Sequence, residues 1–575
     1  MTKNTFNPRE FINAQHLPLQ ELKVPSFCSS NKAAKIEAWV NNLQATKITH
    51  TSVVLYNSVP ELNRVTTDYS NRISTLEAVR PTVQNCIDGL TKDFLYQLTQ
   101  TEETQKFAIV AQALQKSMVD GYLLSLRDIC NLNRFKVETH NLMVKALHRA
   151  ISGIGLFFFR SYQLYTSAPS GMWLQLHGLY RTAEYYDLLD KTVSDPALEN
   201  PQPTSLRSAW LRVVMLAACK PNQLSKKDVA RCYQAFIHWA PLVKLNEGVS
   251  GDKENFYIIN VSQDEPPCYK SRFSGRESDR VIELDFKTLL GRLSKQGGAR
   301  DEVSAEMQQA SSVPKDFPDT LLDHLLNTWG NVAQRKMGRR DVNLKAEIAL
   351  GLVDCHYFIS GKRKFEEFVG GNSDIDQAGT SFTPRGSSRP GTEGDSERPT
   401  WTIEIQNVSA GGYCILWKGE MPPKLESGEI ICLKEHNRFS WNLGVIRWIK
   451  QLKNAAQIGI QLLSNHPSPC GAAQLYDMGG QSDFMRALIL PQNNQNNQPL
   501  TLIAPRSPFG EMQKTKILSS ERTVNVRIGK CLFSTGSIKQ FAYTEMEGTA
   551  QENTKSSATG TARPPEGFDS SWEDI

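Results

Sequence analysis

What this chain lacks narrows its identity before any motif is read. Its 11 cysteines run from Cys28 to Cys531 without one Cys-x-x-Cys pair. That excludes the common zinc and thiol-exchange arrangements and fits buried thiols in a reducing compartment better than a disulfide framework. Charge of one sign is also scarce: the net value is +5 over 575 residues, too small to make a general case for nucleic acid or membrane. No Walker loop, Gly-x-Ser-x-Gly elbow, His-Glu-x-x-His or metal-spaced Cys/His cluster occurs, and the ten histidines are scattered. The usual constellations for phosphoryl transfer, acyl transfer and metal-assisted hydrolysis are therefore missing, and we expect no enzyme. The opening Met1-Thr2-Lys3-Asn4-Thr5-Phe6-Asn7-Pro8 has no apolar core of signal-peptide length. The most hydrophobic window, 151–159, ends at Arg160, too short to cross a bilayer. These features predict a cytoplasmic protein without membrane insertion.

What is present is an ordinary globular composition, 40% hydrophobic and 22% charged, with length for three or four domains. The expected class is multidomain α+β. Residues 1–30 read as an irregular arm, punctuated by Pro8, Pro18 and Pro25. A helical domain follows over 31–250, with helices at 50–78, 140–165, 172–193, 205–220 and 225–241. Another helix carries Phe107, Val110, Leu114, Met118, Tyr122, Leu126 and Ile129 at helical spacing, behind a Thr99/Glu102 pair that resembles a capping box. Residues 172–180 loosely resemble the first helix of a tetratricopeptide repeat but occur once, without copies at a fixed period. Residues 251–333 read as a mixed α/β connector, 334–470 as a small antiparallel barrel, and 471–545 as a further β region. Two segments look disordered by composition: 370–399, inside the barrel, and the tail 546–575. The tail ends in Phe568-Asp569-Ser570-Ser571-Trp572-Glu573-Asp574-Ile575, either a docking motif or a frayed end.

The most informative stretch is Gln406-Asn407-Val408-Ser409-Ala410-Gly411-Gly412-Tyr413. A β-favouring run at 401–405 leads into two locally hydrogen-bonding side chains and a glycine pair, which reads as strand, polar turn, strand. Further strands at 413–417, 428–433, 439–448 and 457–463 are separated by turn clusters, the spacing of a small barrel. Trp441 and Trp448 fall on these strands and read as core residues.

Asn407-Val408-Ser409-Ala410-Gly411-Gly412 resembles the Asp/Asn-x-Ser-x-x-Gly element of the PilZ domain, a bacterial receptor family for cyclic di-GMP. Leu425-Glu426-Ser427-Gly428-Glu429-Ile430, Gly444-Val445-Ile446-Arg447-Trp448 and Ile458-Gly459-Ile460-Gln461-Leu462 are similar to the family's later strands, the last as the strand that closes the barrel. The resemblance implies cyclic di-GMP as ligand, with no cofactor and no metal. It also implies an Arg-x-x-x-Arg pair upstream, and the chemistry agrees: two phosphates and two guanine faces suit guanidinium groups, which bind phosphate bidentately and stack on bases. Glycine serves where backbone must approach the ligand closely.

Two arginine pairs qualify, Arg385/Arg389 and Arg335/Arg339, the latter beside Arg340. After Arg389 come Pro390, Gly391, Gly394 and Pro399, which cannot form a central strand. After Arg339 comes 342–353, alternating over Leu344, Ala346, Ile348 and Leu350. We therefore assign Arg335, Arg339 and Arg340, with Asn407, Ser409 and Gly412, as the expected site. As consecutive residues of that strand's continuation, Cys355 and His356 point to opposite faces, which argues against a Cys–His dyad. By resemblance the protein is an effector passing second-messenger level to protein partners in motility, pili or biofilm, the helical domain being a candidate docking platform. A barrel scaffold without nucleotide and, from another class, a single-stranded nucleic-acid barrel are the alternatives; the latter lacks aromatics interleaved with a basic stripe.

Overall fold

The computed structural model describes residues 6–546, apart from 44–46, 97–101, 198–202, 252–256, 277–278, 295–312, 315–316, 332–337, 371–397, 423, 437, 453–454 and 493–498. The segment 370–399 lies almost wholly outside the described residues, as does the tail after Met546. The chain divides into two compact units, 1–332 and 333–575.

Helical periodicity organises the first unit. The stripe expected from Phe107 onward lies on helix Glu102–Cys130, with Leu114, Met118, Tyr122, Leu126 and Ile129 buried. That helix packs against Tyr69–Tyr96 and Val137–Gln163. The helix expected at 50–78 is instead two, Ile48–Arg64 and Tyr69–Tyr96. Val65 turns extended between them and bridges Leu22, so tertiary pairing overrides local propensity. The helix expected at 172–193 stops at Tyr185, and Thr192–Val193 (β1) pairs with Thr204–Ser205 (β2). The repeat-like segment is this single helix, with Trp173, Leu176, Leu179 and Tyr180 buried.

Helix Val137–Gln163 corrects the membrane argument drawn from 151–159, because its 27 residues are long and apolar enough to span a bilayer. Burial decides its role: 67% of its most apolar window is inside the unit. Its two arginines are also satisfied within the protein. Arg149 meets Glu77 at 3.0 Å and Asp195 at 3.5 Å, while Arg160 donates to Gln115 and to the Leu156 carbonyl. Burial works to raise the Glu77 carboxyl, but the Arg149 hydrogen bond and charge, with the Tyr122 hydrogen bond and the Arg80 charge, together outweigh it and hold Glu77 below the ordinary range.

Beyond the helices, Lys244–Glu247 (β3), Tyr257–Asn260 (β4), Cys268–Tyr269 (β5) and Val281–Asp285 (β6) form an antiparallel sheet in the order β3-β6-β4-β5. Helices Lys287–Ser294 and Asp319–Gly330 complete it. Phe286 stacks on Trp329 at 4.8 Å, and Tyr257, Ile259 and Leu284 share one core with the helices. The region expected as a connector is thus continuous with the helical core.

The second unit contains two closed antiparallel barrels. The first comprises Arg340–Leu350 (β7), Trp401–Ser409 (β8), Gly412–Lys418 (β9), Ile430–Glu435 (β10), Asn442–Gln451 (β11) and Ala455–Ser464 (β12), in the order β10-β11-β12-β9-β8-β7. The sequence reading had 458–462 close the barrel. The structure agrees: β9-β8-β7-β10-β11 make an open sheet, with Ile348 of β7 opposite Leu433 of β10, and β12 pairs with both its free edges, β11 and β9. The second barrel comprises Ser468–Gln474 (β13), Met485–Leu490 (β14), Thr501–Pro505 (β15), Lys514–Ser519 (β16), Thr523–Ser534 (β17) and Ile538–Glu545 (β18), in the order β13-β14-β15-β18-β17-β16.

The strand expected to run through 353 ends at Gly351, whose φ of 84° turns the chain into helix Leu352–Ile359. Cys355 and His356 are therefore helical, not strand residues. Both are buried: Cys355 Sγ donates to the Ala349 carbonyl, and His356 packs edge-on against Phe365 and Phe368. Burial foremost, then Arg486, lowers the His356 pKa to about 4. The helix is a wedge. Cys355 and Phe358 share a core with Ile430, Cys432, Leu443 and Val445 of the first barrel and Leu488, Leu490, Ile503 and Ile538 of the second.

Glu429 sits at the same joint, accepting a hydrogen bond from its neighbour Ile430 N at 3.0 Å and another from the Ser537 side chain. Burial first, then the Glu426 charge, pushes its pKa up to about 7 from an ordinary 4.5. Between those values the native state holds a proton that the unfolded chain has released. Stability therefore falls as pH rises through this window and stays lowered above it. Glu429→Gln is expected to raise thermal stability at pH 8, by about 1–2 kcal/mol after allowance for its residual solvent contact, and to change little at pH 4. Equal melting shifts at both pH values would show that the buried carboxyl is not the cause.

Candidate functional site

The site assembles where β7, β8 and β9 meet at one rim of the first barrel. β7 pairs antiparallel with β8, so Arg340 lies opposite Val408 and Asp341 opposite Asn407. The β8–β9 hairpin then sets Asn407 opposite Cys414, Val408 opposite Tyr413 and Ser409 opposite Gly412. Neighbouring strands are about 4.8 Å apart, so the arginine-bearing end of β7 lies beside the Asn-x-Ser hairpin. Arg339 precedes the first paired residue and, like Arg340, is exposed. Burial raises the Cys414 thiol, and the Arg339 guanidinium opposes that shift, which places its charge close to the hairpin. Arg339, Arg340, Asn407, Ser409 and Gly412 are thus gathered at one rim. Arg335 lies outside the described residues, as do Arg385 and Arg389.

The hairpin differs from the turn read in the sequence. Asn407 and Ser409 are the last residues of β8, and the turn is confined to Ala410-Gly411. Ser409 Oγ donates to the Gly412 carbonyl at 3.4 Å. Gly412 has φ 154°, and a Cβ there would lie 1.9 Å from the Ile460 carbonyl oxygen. A packing demand from β12 therefore accounts for this glycine, whatever a ligand asks of it.

One cross-strand row extends the site around the barrel. Asp341 faces Asn407, Asn407 faces Cys414, Cys414 faces Gly459, and Gly459 faces Trp448. The row lies on the outer face, because Ile415, Ile458 and Ile449, the next residues along, are fully buried and point inward. A Cβ on Gly459 would lie 2.1 Å from Trp448 Nε1, so the indole lies across bare backbone. Trp448 was expected in the core. Gly459 provides an outer shelf instead and leaves the ring half-buried. Trp441 is likewise only partly buried, packed between Phe358 at 5.3 Å and Lys434 at 4.8 Å. Beside the row, Gln406 Oε1 accepts from Gln457 Nε2 at 2.9 Å.

Inside the same rim is a polar plug that the sequence did not reveal. Tyr413 Oη donates to Glu435 Oε1 at 3.1 Å and accepts from Asn442 Nδ2 at 2.8 Å, while Arg438 pairs with Glu435 at 3.4 Å. Burial, then Glu435, pushes the Tyr413 pKa up to about 12, so the phenol stays neutral and donates. These residues come from three strands and a loop, so no local pattern joins them. Among the described residues no group of three or more His, Cys, Asp or Glu side chains is placed to hold a metal.

Known proteins match this order of parts. Three family models of the cyclic-di-GMP receptor FimW align in succession: its N-terminal domain over 34–250, its middle PilZ domain over 256–387 and 375–469, and its C-terminal β-barrel domain over 470–546. The middle model begins well ahead of the geometric division at 332, taking in β4, β5 and β6 of the sheet that packs with the helices, while β3 falls within the N-terminal model. The cyclic-di-GMP receptor FimW of Pseudomonas aeruginosa is 27% identical over an alignment of 612 positions, covering 97% of this chain and 99% of the relative. With a helical region, a barrel bearing the Arg and Asn-x-Ser rim, and a second barrel in the same succession, the chain belongs to the PilZ-domain family in the three-part arrangement of the FimW receptors.

Proposed function

We propose that this chain is a non-catalytic cytoplasmic effector that binds cyclic di-GMP on the outer rim of its first barrel. The observation that carries the reading is the β7–β8 register, which brings an exposed pair of guanidinium groups against the Asn407/Ser409 hairpin. Arg339, with Arg335 ahead of it, clamps phosphate; Arg340 adds charge at the strand start; Asn407 and Ser409 offer an amide and a hydroxyl to a guanine edge. Trp448, in the same outer row, offers an aromatic face for a base. Gly412 contributes by letting β9 sit close to β12.

The relatives' names supply the ligand, and the rim's cations and hydrogen-bonding groups suit a doubly anionic guest. Binding shifts the population toward an ordered rim and so signals to protein partners, with motility, pili and biofilm as the expected settings. Titration calorimetry of the full-length protein with cyclic di-GMP is expected to give saturable heat at micromolar or lower ligand. Absence of heat, with folding intact by circular dichroism, would favour a barrel scaffold that has lost the nucleotide.

A further inference from the structure

On the flank of the first barrel lies a cleft of about 530 Å³ that the nucleotide reading leaves unused. Glu347 of β7, Lys434 of β10, the 439–441 loop, the 358–362 helix end and the 465–468 link enclose it. Phe439, at the loop tip, is 103% exposed, a ring given wholly to water beside an apolar wall of Phe358, Ile359 and Trp441. Its rim is mainly cationic. Lys434 pairs with Glu347 at 2.8 Å and, with Lys362 assisting, holds that carboxyl below its ordinary range. Gly361 and Lys362 both adopt positive φ, 76° and 65°, a bend that carries Lys362 to the cleft. Two ammonium groups and His466 thus face one carboxylate.

An uncovered aromatic at a basic, apolar-walled cleft calls for a partner that presents apolar anchors between carboxylates. The chain itself ends in such a sequence: Phe568 and Trp572, four apart, with Asp569, Glu573 and Asp574 around them. β18 ends at Glu545 in the same compact unit. The intervening 547–567 can reach up to ~70 Å extended, against about 45 Å for the width of a unit this size. Tethering also gives an effective concentration in the millimolar range when the linker spans its sites.

We propose that residues 568–575 dock in this cleft, with Phe568 and Trp572 against Phe439 and Trp441, and the carboxylates toward Lys362 and Lys434. The inference is independent of nucleotide binding. It is tested with a fluorescein-labelled peptide of residues 566–575, titrated by anisotropy into the otherwise full-length protein lacking those residues. Saturable binding is expected, at least tenfold weaker in the intact protein, where the site is filled in cis. Phe439→Ala and Lys362→Glu, both at the cleft edge, are each expected to weaken it about tenfold or more, and a scrambled peptide should not bind. No binding to the truncated protein, or equal binding by the parent and Phe439→Ala, overturns the proposal. Competition in the intact protein that appears only as it dimerises on size exclusion would assign the cleft to a second copy's tail and overturn docking in cis.

Discussion

Arg339→Ala is expected to weaken cyclic di-GMP binding by roughly 10- to 100-fold in calorimetry while leaving the melting temperature unchanged. The magnitude follows from losing a charge-assisted contact of about 1.5–3 kcal/mol, with about 1.4 kcal/mol per tenfold. The fold is spared because Arg339 is exposed and precedes the first hydrogen-bonded residue of β7. Arg340 is held in the β7–β8 ladder opposite Val408, whereas Arg339 lies ahead of it, and Arg340→Ala is expected to have the smaller effect. Raising salt should weaken the parent more than Arg339→Ala, since the lost term is the ionic one. An unchanged affinity in Arg339→Ala refutes the site assignment, even if the protein binds nucleotide elsewhere.

Gly412→Ala should be the most damaging single-methyl change in the first barrel, costing about 3 kcal/mol. The new Cβ would meet the Ile460 carbonyl oxygen at 1.9 Å and Gln461 Cα at 3.1 Å, all backbone atoms that no rotamer change can move. Relief requires β9 to part from β12 at the Gly412–Gln461 pair, beside the site. Urea denaturation is the direct measurement, with a lower midpoint and an unaltered slope expected. A midpoint equal to the parent's would mean that the two strands are not held this tightly. The variant also separates two explanations of the motif glycine, since a residue kept only for ligand approach would lose affinity without losing stability.

Alternation made much of the barrel legible. Leu344, Ala346, Ile348 and Leu350 mark β7, and the run into Asn407 marks β8, so the rim could be expected from sequence. Elements whose signal is not local were harder to see. Leu352-Val353-Asp354-Cys355-His356-Tyr357-Phe358-Ile359 continues an apolar run, and a short buried helix cannot be told from a buried strand by periodicity. The left-handed turn at Gly351 decides it. β13 hides because Pro469 and Gly471 depress strand propensity, yet the small residue at 471 is what lets Phe484 sit against the backbone. Trp448 was placed inside because tryptophan is large and apolar; its position depends on a bare glycine eleven residues later, on another strand. The Tyr413–Glu435–Asn442 plug depends on strand order, which composition does not encode.

The wedge helix Leu352–Ile359 has a consequence for how this protein can be cut. An N-terminal piece ending near 467 would keep this helix but bare the side it turns to β13 and β14, and an isolated C-terminal piece would bare Leu488, Leu490, Ile503 and Ile538. Neither fragment inherits a finished interior, so both would be sticky as recombinant products. The pair is in effect one indivisible module, and domain shuffling can transplant either barrel only together with the other.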